Sequence, residues 1–163
     1  MTKQKGFSLI ELLIVVAIIL VIAAIAIPNF IRAKIAANES AASSSIRTIS
    51  TAELSYLNAY PTVGYASLAA LGSAGASPCV ASPTSACLID DNLATATSAP
   101  GKSGYVYAGS STITAYFASA RPTIQGVSGV RSFCSTQDGV IRVQDTGGTI
   151  ASGAACDALP GLK

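Results

Sequence analysis

The chain has 163 residues, half of them hydrophobic and only 11% charged, with ten Lys and Arg against eight Asp and Glu, and no His. Lys3 and Lys5 account for the formal charge of +2, so beyond the first six residues eight basic side chains balance eight acidic ones, which excludes the basic footprint of a nucleic-acid binder. Without histidine there is no Ser-His-Asp triad, and Ser-Lys chemistry has only Lys102 and Lys163 beyond the helical stem, so catalysis is not expected.

Residues 1–6 form a short positive leader, whose Lys3 and Lys5 should stay in the cytoplasm by the positive-inside rule, leaving the C-terminal part outside. Residues 7–27 are apolar except for Ser8 and Glu11 and match the ~20 residues that an α-helix needs to cross a bilayer. A cleaved secretory signal is the competing reading, with Ala24-Ile25-Ala26 as its cleavage pattern. The run exceeds the ~7 to 15 residues of a signal core, and such a core has no use for Glu11. An ionisable group in an apolar span is costly and is by default a functional candidate.

Helical periodicity continues past Pro28. Phe30, Ile31, Ile35, Ala42, Ile46, Ile49, Ala52 and Tyr56 recur mostly every three or four residues, with Arg32, Lys34, Asn38, Glu39, Arg47 and Glu53 largely on other faces. One helix is therefore expected from about residue 7 to 58, roughly 75 Å long, with an amphipathic part over residues 28–58. Pro28 removes one helical hydrogen bond and crowds the carbonyl of Ala24, which predicts a kink or local opening.

Residues 59–104 read as a connecting loop region punctuated by Gly and Pro, with Leu68-Ala69-Ala70-Leu71 and Cys87-Leu88-Ile89 as short helices or caps. Residues 105–163 change period. Four β-branched and aromatic runs, at 105–108, 112–118, 130–134 and 140–143, predict an antiparallel meander with hairpin connections at 109–111 and 136–139. Its apolar face would cover the exposed half of the long helix, and residues 151–163 would be a tail held by Cys156. The expected fold class is α+β, a long N-terminal helix packed against a small antiparallel sheet head.

All four cysteines lie beyond the apolar run, and an even count in an exported segment suggests disulfides. Three pairings are open; local spacing favours Cys79 with Cys87 and Cys134 with Cys156. Zinc is disfavoured by the absence of His and of a C-x-x-C spacing, so no metal or cofactor is expected. Asp90-Asp91-Asn92 and Asp138-Gly139 lack the spacing of an EF-hand loop and read as turns and helix caps. Asn38-Glu39-Ser40 matches a glycosylation pattern by coincidence, since it lies in the helix that packs on the sheet. Aromatics along the stem read as packing residues.

The leader ending Lys5-Gly6, the run from Phe7-Ser8-Leu9-Ile10-Glu11 to Ile19, and Ala23-Ala24-Ile25-Ala26-Ile27-Pro28-Asn29-Phe30 resemble the class III signal and stem of the type IV pilin and pseudopilin family. The resemblance covers residues 1 to about 58; beyond them only the layout of loop, sheet and disulfide-closed C-terminal region agrees. It implies cleavage between Gly6 and Phe7 by a membrane prepilin peptidase, methylation of the new Phe7 amine, and pairing of Glu11 with the Phe7 amine of a neighbouring copy. It also implies an inner-membrane precursor with its head in the periplasm, assembled by a platform protein and an ATPase into an extracellular helical homopolymer. Ser8 stands where relatives often have Thr. Leu20 stands where many type IVa pilins have Gly, and leucine favours helix where glycine does not. A type IVa major pilin is the favoured expectation. The alternatives are a pseudopilin of type II secretion and a membrane-anchored adhesin or binding domain that does not polymerise.

Overall fold

A computed structural model describes residues 6–162. The leader cations Lys3 and Lys5 and the terminal Lys163 lie outside the described residues. One helix, α1 (Leu9–Ala59), accounts for nearly a third of the chain and contains Pro28. By contacts the chain divides after Lys34 into two compact units.

In the first unit α1 is helical from Leu9 onward with no break in its assignment at Leu20 or Pro28. None of its most apolar window is buried by the protein itself, and side chains such as Ile14, Leu20 and Ile25 are more than half exposed. A helix that is apolar all round belongs in lipid or in a protein core.

In the second unit, the head, α1 becomes one-sided. Ala42, Ile46, Ile49, Ala52 and Tyr56 are buried at three- and four-residue intervals against a four-stranded antiparallel sheet. The strands β1 (Tyr105–Ser111), β2 (Tyr116–Pro122), β3 (Ser132–Thr136) and β4 (Arg142–Gln144) pair in sequence order, the meander that the sequence predicts. Alternation sorts the side chains. Tyr105, Tyr107, Tyr116, Ala118, Ala120 and Phe133 join the α1 cluster, whereas Phe117 and Cys134 join Ile150 and Cys156 in a second one. The C-terminal segment, with α4 (Gly153–Asp157), thus covers the second side of the sheet, and the Cys134–Cys156 disulfide fastens it there.

The strand limits differ from those predicted. The first hairpin turns at residues 112–115, not 109–111, because Gly109 pairs with Ala118 and the ladder runs on to Ser111 opposite Tyr116. Thr112 closes the turn, its amide donating to the Ala115 carbonyl at 2.8 Å. The second turn falls where expected, with Gly139 at φ +72°, a conformation that glycine adopts without steric cost.

Residues 60–104 carry two one-turn helices, α2 (Leu68–Leu71) and α3 (Asp91–Ala94). Residues 87–89, predicted as a short helix or cap, are instead irregular, with Cys87 at φ +58°: Leu88 and Ile89 both donate to the Leu71 carbonyl, while Cys87 donates to that of Gly72. Cys79 and Cys87 are disulfide-bonded across this region.

Candidate assembly site

Gly6, Phe7 and Ser8 precede α1 in irregular backbone, and Gly6, Phe7 and Glu11 are all exposed. The Leu12 amide donates to the Ser8 carbonyl at 3.2 Å, which makes Ser8 the residue that opens the helix. Glu11, three residues on, turns back so that Oε2 accepts the Ser8 amide at 2.9 Å. This is the carboxylate half of a capping box, and it places a negative charge at the positive end of the helix dipole. Glu11 is therefore not idle within the single chain. It satisfies one orphan N–H of the helix start and retains a second oxygen for another donor. The spacing Ser8-x-x-Glu11 was the available signal for this role.

The two buried carboxylates of the head are a correction to the sequence reading, which put Glu39 and Glu53 on the polar faces of the helix; both are buried. Glu39 Oε1 accepts the amides of Val130 at 2.9 Å and Arg131 at 3.1 Å, and Oε2 pairs with the Arg131 guanidinium at 2.7 Å. Burial pushes its pKa up, but the Val130 amide and Arg131 outweigh that, and the net shift is downward. Beside it, Asn38 Nδ2 donates to the Ser128 carbonyl at 2.7 Å. Close packing fixes this loop: a Cβ on Gly129 would lie 2.0 Å from the Tyr105 hydroxyl, which donates to the Arg131 carbonyl.

Glu53 is bound differently. It accepts the Ala66 amide at 2.9 Å, and no Lys or Arg contributes to its shift. Burial pushes its pKa up to about 7, with the Ala66 hydrogen bond acting against the shift. Glu39 and Glu53 thus tie two loops to α1 through backbone amides 91 and 13 residues onward, a role that helical periodicity does not reveal.

The acidic turns compared with an EF-hand loop serve the fold. Asp90 caps α3 by accepting the Leu93 amide at 3.0 Å and pairs with Lys102 at 2.8 Å. Asp91 accepts the Ser73 amide at 2.8 Å as well as its hydroxyl. Asp138 pairs with Arg142 at 2.5 Å and accepts the Val140 amide, and Arg142 also lies 3.4 Å from Asp157. The Arg142 hydrogen bond is the main cause that brings the Asp138 pKa down to about 2.

With this geometry in place, the stem can be compared with known proteins. Residues 1–27 match the family model described as the prokaryotic N-terminal methylation motif. The chain resembles the type IV pilins. Over 56 residues, 34% of this chain, it is 46% identical to the type IV major pilin protein PilA of Myxococcus xanthus. Over 39 residues, 24% of this chain, it is 56% identical to PilA4, the type IV wide pilus major component of Thermus thermophilus. These matches span 26% and 30% of the relatives' own lengths. No solved structure matches the chain. The long helix and antiparallel sheet give a pilin-like α+β architecture.

Proposed function

We propose that this chain is the structural subunit of a type IV pilus filament, held in the membrane by residues 7–27 before assembly and in the filament core by the same residues afterwards. The observation that carries this reading is the stem itself. An apolar helix that the protein leaves uncovered follows a Gly6–Phe7 junction and bears one carboxylate near its start. The names of the two relatives, a type IV major pilin and a wide pilus major component, are consistent with a pilus subunit.

Cleavage after Gly6 by a prepilin peptidase frees a cationic amine on Phe7, just ahead of the helix start and four residues before Glu11. In a water-poor core a lone carboxylate and a lone ammonium are each costly, and together they are compensated. Glu11 of one copy neutralising Phe7 of the next sets the axial register, because a misplaced copy leaves both charges unpaired. Before cleavage the Phe7 nitrogen is an uncharged amide, so the precursor lacks that partner. The second Glu11 oxygen allows the carboxylate to keep the Ser8 amide while accepting the new cation.

Exchanging lipid for neighbouring apolar helices is nearly neutral per unit area. Growth therefore draws on an external motor, an ATPase acting through an inner-membrane platform protein. Mass spectrometry of sheared surface fibres tests the assignment. A dominant chain beginning at N-methylated Phe7 is the expected result; recovery from membranes alone would contradict it and point to a pseudopilin, a minor subunit or a non-polymerising anchor.

A further inference from the structure

Past the apolar run, the stem carries two exposed cations, Arg32 and Lys34. No acidic residue occurs from position 12 to 38. The nearest downstream, Glu39, is held by Arg131. Upstream, Glu11 is more than five helical turns away. Among the described residues the ion pairs are Lys102–Asp90, Arg131–Glu39 and those of Arg142 with Asp138 and Asp157. Arg32 and Lys34 take no part in them.

We propose that Arg32 and Lys34 bind the headgroups of anionic phospholipids and fix how far the stem sits in the bilayer. This rests on the membrane-inserted precursor proposed above. At 1.5 Å per residue, Arg32 lies about 7.5 Å and Lys34 about 10.5 Å beyond Ile27 along the helix. A polar layer on the order of 5 to 7 Å thick flanks the hydrocarbon on each side. Both side chains are long enough to reach back into it, stems along the apolar surface and charges outward. Two residues apart, they point to nearly opposite sides of the helix, so each meets its own headgroup. Phe30, 70% exposed, stands between the apolar run and the cations, where an aromatic ring suits the interface. Phosphates line both faces of a bilayer, so the anchor works in either orientation. Two cations at an anionic surface favour binding by about thirtyfold together. A subunit entering the filament gives up these contacts.

The test is magic-angle-spinning NMR of the full chain in vesicles of phosphatidylcholine with and without phosphatidylglycerol. It reads 31P dephasing of 13C at Arg32 Cζ and Lys34 Cε, with Arg47 Cζ as internal control and deuterium exchange of the stem amides alongside. Strong dephasing at Arg32 and Lys34, greater with phosphatidylglycerol and weak at Arg47, is expected. Absent or equal dephasing in the two vesicles, with the stem amides protected, overturns the anchor and leaves the inserted stem standing. Freely exchanging stem amides overturn the membrane reading beneath it. A contact from Arg32 to a carboxylate of a differently labelled copy assigns the cations to a protein partner and also overturns the anchor.

Discussion

The stem and the head solve the same problem in opposite ways. In the head, apolar faces and carboxylates find partners within the chain: Tyr56, Tyr105, Tyr107 and Phe133 are buried, and Glu39 is neutralised by Arg131. In the stem the apolar side chains find none, and Glu11 holds only a backbone amide three residues away. One sequence thus encodes a part that covers its own apolar surface and a part that does not. Substitutions in the stem should abolish assembly without unfolding the head, and substitutions in the head should do the reverse.

The largest effect is expected for Glu11→Ala. Filament incorporation should fall to near zero while membrane insertion and head unfolding stay as in the parent, read by fibre yield, membrane fractionation and thermal melting. An equal loss of head stability would break the separation of the two regions. In the head, replacing Cys134 and Cys156 by Ala removes a crosslink closing 22 residues, worth about 3 kcal/mol by loop entropy. The second hydrophobic cluster, built around that bond, should loosen first, read by hydrogen exchange of the Ile150 and Leu159 amides.

Glu53 sharpens the comparison through pH. Its native pKa, about 7, lies above the ordinary 4.5, so between these values the folded head holds a proton that the unfolded chain releases. The Glu53 contribution to stability should therefore be full below about pH 4.5, decline as pH rises toward 7, and level off above, by on the order of 3 kcal/mol at most. Glu53→Gln keeps an oxygen for the Ala66 amide and should flatten that slope, measured by urea unfolding from pH 4.5 to 8. Glu39→Gln tests the opposite kind of buried carboxylate. It removes the charge facing Arg131 and should cost about 2 kcal/mol at neutral pH. Removing Cys79–Cys87, which closes only eight residues, should cost less than removing Cys134–Cys156, about 2.5 kcal/mol by the same loop entropy.

Much of this division was legible in the residues. The spacing of Ala42, Ile46, Ile49, Ala52 and Tyr56 announced the buried face of α1, and the β-branched and aromatic runs announced the meander. What misled was local chemistry that long-range pairing overrode. Gly109 looked like a turn but lies in a ladder, and the β-formers Thr112 and Ile113 lie in the real turn. Residues 87–89 are held out of a helix by carbonyls at Leu71 and Gly72, partners that no local pattern reveals. Glu39 and Glu53 looked like surface charges because their partners, at Val130, Arg131 and Ala66, are set by the tertiary fold. In the stem, Gly6, Phe7 and Glu11 stood out because a charge beside an apolar run needs a reason.

The central claim is that the Glu11 carboxylate of one copy meets the Phe7 amine of another. Filaments assembled from an equal mixture of 15N-Phe chains and 13C-Glu chains isolate contacts between copies. Solid-state NMR should show a dipolar contact between the Phe7 amine nitrogen and Glu11 Cδ, within the ~4 Å of an ion pair. Well-formed filaments lacking that contact would contradict the account.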